Sequence, residues 1–238
     1  MPRHSTNTKR SEGISPDKTE DHMHIRNYDR VLWDFNGTLL DDVALGISAT
    51  NQLLGQRGLP AIPSEEAYRA AFGFPVKNYY RAIGLPYEGE AFAEIAEAWM
   101  ALYRAGENTA PLREGCVSVL NAIRDAGVAQ GVLSAMENCM LEERVTALGI
   151  RPYFDHLFGL GDIYAADKTD LAKRYALTHA GERVLMIGDT DHDAETAAAG
   201  GFDCALIEGG HQTRERLLST GCRVFADFDA FSAWLLED

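Results

Sequence analysis

The chain has 238 residues, enough for one or two domains with a buried core, and 46% of them are apolar, an ordinary share for a globular protein. The formal net charge of −14 argues against nucleic acid and anionic membrane surfaces as partners, and an anionic ligand would need a metal ion and local cations to bind. Cys116, Cys139, Cys204 and Cys222 show no CxxC spacing and read as free, mostly buried thiols of a reducing cytoplasm.

In chain order, residues 1–27 are polar, carry both charge signs and lack apolar periodicity. They read as a disordered tail, with no stretch of signal-peptide or membrane-spanning length. Val31–Phe35 is an apolar run that ends on Asp34, followed by Asn36, Gly37 and Thr38 in a tight polar turn. A carboxylate at the end of a buried strand is costly unless it has a task or a partner.

Residues 43–111 show helical periodicity almost throughout. Val43, Ile47, Thr50 and Leu54 share one face, and Phe92, Ile95, Ala96, Trp99, Leu102 and Tyr103 form a second stripe. The remainder alternates. Helices at 116–126 and 137–148 end at Gly127 and Gly149, and strands are expected at 128–134, 156–160, 184–189, 204–207 and 222–225. This pattern predicts an α/β fold with a Rossmann-like three-layer core and a parallel sheet, formed by 28–42 and 112–238. Residues 43–111 are a helical domain inserted after the first strand, placed as a lid over the crevice at the carboxyl ends of the strands.

Four strand-end or helix-start positions carry chemistry. Asp34 ends the first strand, Ser134 the second, Lys168 opens a helix after the third, and Asp189 ends the fourth, with Asp193 four residues on. Singly, each reads as a turn, cap or surface residue. Together they offer two carboxylates for a divalent cation, a cation for phosphate and a hydroxyl donor, the parts for metal-assisted phosphoryl transfer to an enzyme carboxylate.

The segment Val-Leu-Trp-Asp-Phe-Asn-Gly-Thr-Leu-Leu-Asp at 31–41 and Gly-Asp-Thr-Asp-His-Asp at 188–193 resemble the first and fourth motifs of the haloacid dehalogenase superfamily. From Arg30 onward the chain is similar to a hydrolase of that superfamily, and the helical insertion is similar to its C1 cap. The ending Gly-Gly-His-Gln-Thr-Arg-Glu-Arg-Leu at 209–217 is similar to that of the phosphoglycolate phosphatase branch. The resemblance implies a cytoplasmic Mg²⁺-dependent phosphohydrolase acting on a small phosphorylated metabolite. Asp34 would be the nucleophile and a metal ligand, Asn36 would lend its backbone carbonyl to the metal, Asp189 would be the second carboxylate and Asp193 would act through water or by holding Lys168. Ser134 and Lys168 would bind the phosphoryl oxygens, with Thr38 beside them as a substrate-binding candidate.

Asn36 departs from the family pattern, in which an Asp here protonates the leaving group and then deprotonates water. An amide does neither, and positioned acid–base catalysis is worth about 10²–10⁴-fold. The substrate could carry a better leaving group, another residue such as His192 could serve, or the protein could bind phosphorylated ligands and barely turn them over. Lys77, in Phe-Gly-Phe-Pro-Val-Lys at 72–77, is either a solvated helix lysine or a substrate-binding group reaching into the crevice. In the second case it would allow imine chemistry similar to that of phosphonoacetaldehyde hydrolases, whose second first-motif Asp is also absent.

Overall fold

The structure, a computed structural model, describes residues 25–163 and 167–236. Six strands, β1 (Arg30–Trp33), β2 (Ala129–Glu137), β3 (His156–Leu160), β4 (Val184–Gly188), β5 (Asp203–Ile207) and β6 (Arg223–Phe225), form one parallel sheet in the order β3-β2-β1-β4-β5-β6. β1 lies between β2 and β4, with Trp33 opposite both Val132 and Ile187. The strand order therefore reverses at β1, and a crevice opens at the carboxyl end of that strand.

Both faces of the sheet are buried, so the strands are apolar in both directions. Val31, Trp33, Leu185 and Ile187 point into one core, and Leu32, Leu133, Val184 and Met186 into the other. On the first face the sheet is covered by α5 (Cys116–Asp125), α6 (Asn138–Ala147) and α10 (Phe228–Leu236); on the second by α7 (Thr169–Thr178) and α8 (Asp191–Gly200). The expected three-layer α/β core is present.

Between β1 and α5 stand α1 (Val43–Gln56), α2 (Glu65–Ala71), α3 (Val76–Ala82) and α4 (Gly89–Gly106). They close around a separate apolar cluster that includes Leu53, Leu54, Tyr68, Tyr79, Tyr80 and Ile95. The chain enters and leaves this cap along two adjacent segments. Asp41 N–H donates to Pro111 O at 2.8 Å, Arg113 N–H donates to Leu39 O at 2.9 Å, and Leu40 pairs antiparallel with Leu112. The far side of the cap rests on the loop before α9 (Arg214–Ser219), where Arg69 donates to the carbonyls of Gly210 and Gly209 at 2.7 and 3.0 Å and Arg216 donates to Phe72 O at 2.7 Å.

Three expectations need correction. β2 does not stop at Ser134; it continues to Glu137 with a register irregularity between Leu133 and Glu137. The reason is local: Ser134 Oγ accepts the Met136 N–H, and the Glu137 carboxylate accepts from Cys139 and Met140 N–H, so the break comes at the cap of α6. Of the cysteines, only Cys116 is buried; Cys139 is exposed and the others are half-buried. The expected tail lies outside the described residues up to position 24, but Ile25–Asn27 form a 3₁₀ turn that places Ile25 in the core at 1% exposure. No described helix is long and apolar enough to cross a membrane.

Ile25 thus makes a quantitative prediction. Truncating a fully buried Ile to Ala costs about 2–5 kcal/mol, so Ile25→Ala should lower the urea midpoint accordingly, whereas an unpacked tail residue would leave it unchanged.

Candidate active site

At the carboxyl end of β1 the chain turns sharply, and glycine makes the turn possible. Gly37 has φ +76°, and a Cβ there would fall 2.4 Å from Asp189 Oδ2 and 2.5 Å from His211 Cδ2. The same close approach recurs at Gly188, where a Cβ would lie 2.1 Å from Asp193 Cγ. The two glycines let the ends of β1 and β4 bring their carboxylates together.

Asp34, Asp189 and Asp193 are all buried, and each offers a carboxylate oxygen within 4.8 Å of the others. Lys168, the residue before α7, is 2% exposed and joins two of them: its Nζ donates to Asp34 Oδ1 at 2.5 Å and to Asp193 Oδ1 at 2.6 Å. The other oxygen of Asp193 accepts from Asp189 N–H, Thr190 N–H and the Thr190 hydroxyl, so that carboxylate is fully used in capping α8 and holding Lys168. Thr38 does not face the cavity; its hydroxyl donates to Asp189 Oδ1 at 2.6 Å, while the His211 N–H donates to Oδ2 at 2.7 Å. Asp189 is thereby oriented from both sides.

The charges do not balance. Burial raises the Asp34 carboxyl to about 8 against the pull of Lys168, and burial likewise raises Asp189, whereas Lys168 and the capping donors override burial and hold Asp193 low. Three buried carboxylates against one ammonium leave an excess of negative charge that a divalent cation would relieve. The carboxylate oxygens of Asp34, Asp189 and Asp193 lie close enough together to hold a metal ion, and oxygen donors of this kind suit a hard divalent cation such as Mg²⁺.

Asn36 belongs to a second cluster. Its Nδ2 donates to Asp42 Oδ2 and to the Tyr103 hydroxyl, each at 2.8 Å, and Tyr103 in turn donates to Asp42 Oδ2 at 2.7 Å. Asp42 also accepts from Gly37 N–H at 2.8 Å and from His211 Nε2 at 3.2 Å. Burial alone would raise the Asp42 carboxyl, but His211 and the other donors lower it. Burial likewise pulls the His211 imidazolium down, and Asp42 more than offsets this, leaving it at about 9. His211 Nδ1 meets the Tyr68 hydroxyl at 2.9 Å, so this cluster ties the β1 turn to α2 and α4 of the cap. Tyr103 stands in a helical stripe, and Asp42 and Tyr68 gave no chemical signal in the sequence. His211 stood in the Gly-Gly-His ending, where two glycines before a histidine could have marked a close approach.

A cavity of about 130 Å³ lies between cap and sheet, lined by Asp34, Asn36, Ser134 and His211 at one end and by cap side chains at the other. Two candidates lie outside it. Lys77 is exposed on α3 and lines a separate groove with Tyr87, Glu88 and Phe92. His192 is neither solvent-facing nor on the cavity wall. It is buried in the first turn of α8, stacked on Phe74 at 4.8 Å and paired with Glu195 at 3.1 Å.

A family model for haloacid dehalogenase-like hydrolases matches residues 31–207. The tyrosine-protein kinase PtkA of Mycobacterium tuberculosis is 29% identical over 189 residues, covering 76% of this chain and 62% of that protein; the chain thus spans less than two thirds of the length of its PtkA relatives. A phosphoglycolate phosphatase of Rhodospirillum rubrum is 27% identical over 218 residues, covering 86% of this chain and 90% of that one. In fold, the chain is similar to a haloacid dehalogenase-like family hydrolase from Streptococcus pneumoniae, with a TM-score of 0.75 at 20% identity, covering 88% and 99% of the two chains.

Two outcomes are expected of the Asn36 cluster. Asn36→Asp sets a carboxylate against Asp42 where an amide donated, and should destabilise the fold by about 1–3 kcal/mol in urea unfolding; the double variant with Asp42→Asn should recover part of the loss, with a coupling energy of about 0.5–3 kcal/mol. The raised His211 pKa contributes stability that is complete below the unfolded value of about 6.5 and is lost as pH rises through about 9. Replacing His211 by Gln should therefore flatten the stability profile between about pH 6 and pH 10.

Proposed function

The chain belongs to the haloacid dehalogenase-like hydrolases, and from that premise we propose that it is a Mg²⁺-dependent phosphohydrolase of small phosphorylated metabolites that works through an aspartyl-phosphate on Asp34. The observation that carries this reading is the Lys168 bridge. Lys168 binds one oxygen of Asp34 at 2.5 Å, which orients the carboxylate and directs its other oxygen to the phosphorus. That oxygen forms a bond to phosphorus as the bond to the leaving oxygen breaks, and the electron pair departs with the leaving group. Water then attacks the aspartyl-phosphate, inorganic phosphate leaves, and the Asp34 carboxylate returns.

Asp34, Asp189 and the carbonyl of Asn36 would hold Mg²⁺, which supplies charge neutralisation of the transferring phosphoryl group. Ser134, on the cavity wall, offers a hydroxyl to that group, and Lys168, behind that wall, acts by holding Asp34. Thr38 acts by orienting Asp189, and Asp193 by holding Lys168 and capping α8. Asn36 binds rather than transfers protons: its amide is spent on Asp42 and Tyr103. The relatives named as phosphoglycolate phosphatases, 26% and 27% identical, support phosphate-ester chemistry. The exposed position of Lys77 favours that chemistry over an imine route.

Adding Mg²⁺ at about a hundred times its dissociation constant should stabilise the fold by about 2.7 kcal/mol, seen as a rise in melting temperature, and Asp189→Asn should abolish the rise together with phosphate release. An equal rise in that variant would place the metal elsewhere. Without a carboxylic acid at position 36, hydrolysis of the aspartyl-phosphate is slow. Rapid mixing with a reactive phosphate ester should thus give a burst of one alcohol per active site before a slower steady rate; a linear time course from the first turnover would show that breakdown of the intermediate is not limiting.

A further inference from the structure

The cap end of the cavity is built from rings. Tyr68, Phe72, Phe74, Tyr79, Trp99 and Tyr103 line it above Asp34. Their polar atoms are already committed: Tyr79 and Trp99 donate to Thr50 Oγ1 at 3.4 and 3.0 Å, Tyr103 donates to Asp42, and Tyr68 meets His211. What they present to a ligand is aromatic face and edge.

Positive charge is missing from this wall. Among the described residues no Lys or Arg lines the cavity, and the two guanidinium groups that join the cap to the loop before α9 are spent elsewhere, Arg69 on the carbonyls of Gly209 and Gly210, and Arg216 on Phe72 O and Asp191. His211 is paired with Asp42. The wall does carry the Asp42 and Glu137 carboxylates. A leaving group with its own carboxylate would thus be desolvated against like charge with no counter-ion, which is strongly unfavourable.

Size and reactivity point the same way. An apolar cavity of about 150 Å³ holds benzene, and this one, at about 130 Å³ including its Asp34 end, admits only a small leaving group beside the phosphoryl group. Asn36 offers no proton to the departing oxygen, so the leaving group must depart as a stable anion. A phenol has a pKa of about 10, far below that of an alcohol, which is close to water at about 15.7.

Resting on the phosphohydrolase reading for its chemistry but not for its binding preference, we propose that the substrate is a phosphate monoester of a small, uncharged phenol, the ring held by the cap aromatics and the phosphoryl group at Asp34. The bond from phosphorus to the phenolic oxygen breaks and the phenolate leaves with the electron pair, taking its proton from solvent. A carboxylate-bearing ester such as phosphoglycolate is disfavoured by the same wall.

Binding of non-hydrolysable phosphonates separates the preference from turnover. In calorimetric titration with Mg²⁺ present, phenylphosphonate should bind at least about tenfold more tightly than phosphonoacetate, a difference of about 1.4 kcal/mol. Trp99→Ala should weaken phenylphosphonate while leaving methylphosphonate, which reads the phosphoryl subsite alone, unchanged; that unchanged binding also shows the variant is folded. Met100→Lys, which adds a cation to the wall, should shift the preference toward phosphonoacetate. In turnover, phenyl phosphate should exceed phosphoglycolate in kcat/KM. Equal or tighter binding of phosphonoacetate by the wild-type protein, or faster turnover of phosphoglycolate, overturns the proposal and leaves the phosphohydrolase reading intact. Tighter binding of phenylphosphonate with no hydrolysis of any ester upholds the ring preference and overturns the phosphohydrolase reading instead.

Discussion

The ammonium of Lys168 is the charge on which the site depends. It lies buried between Asp34 and Asp193, and removing one member of such a group leaves an uncompensated buried charge, typically costing 3–5 kcal/mol. The sheet makes this arrangement possible. β1 and β4 are neighbours in register, so the residues that follow them, Asp34 and Asp189, come close together, and α7 begins close enough for its preceding residue, Lys168, to reach Asp34 and the Asp193 of α8. Each carboxylate has a different set of donors. Asp193 is saturated, Asp189 is held by Thr38 and His211, and Asp34 is held at one oxygen by Lys168. The same residue type at three positions therefore does three different things, decided by what donates to it.

Asp42 is the second organising charge. It gathers the Gly37 N–H, the Asn36 amide, the Tyr103 hydroxyl and the His211 imidazolium. These donors come from the β1 turn, the cap helix α4 and the loop after β5, so a single carboxylate senses the position of all three. Asn36 fits this cluster as a donor. A second carboxylate there would face Asp42 across a hydrogen-bond distance, and so the amide is coherent with its surroundings rather than a lone loss. The amide at position 36 and the aromatic roof line one and the same cavity.

The sheet was legible because both of its faces are covered: Val31, Leu32 and Trp33 had to be apolar in both directions, and such runs announce a buried parallel strand. The insertion was legible because helical periodicity replaced that pattern. Asp34, Lys168 and Asp189 could be placed because each follows a strand or opens a helix. Other features could not be read. The Ser134 strand continued because a serine can satisfy a backbone N–H two residues on, an event with no periodic signature. Thr38 faced Asp189 rather than a ligand because side-chain direction in a tight turn depends on neighbours distant in sequence. Lys77 was ambiguous because its spacing fits a helix whichever side it faces. His211 and Tyr103 acquired meaning only through Asp42, across 169 and 61 residues of chain respectively.

The two segments that join cap and core are bound to each other, through Asp41 N–H to Pro111 O and Arg113 N–H to Leu39 O. The insertion therefore begins and ends at one point on the surface of the core. About seventy residues of roof are thus joined to the floor as a tight loop would be, and neither the strand register nor the Lys168 bridge involves any of them. Diversification can proceed by changing the cassette, provided each new one still offers partners to Asn36, Asp42 and His211, which here take Tyr103 and Tyr68 from it.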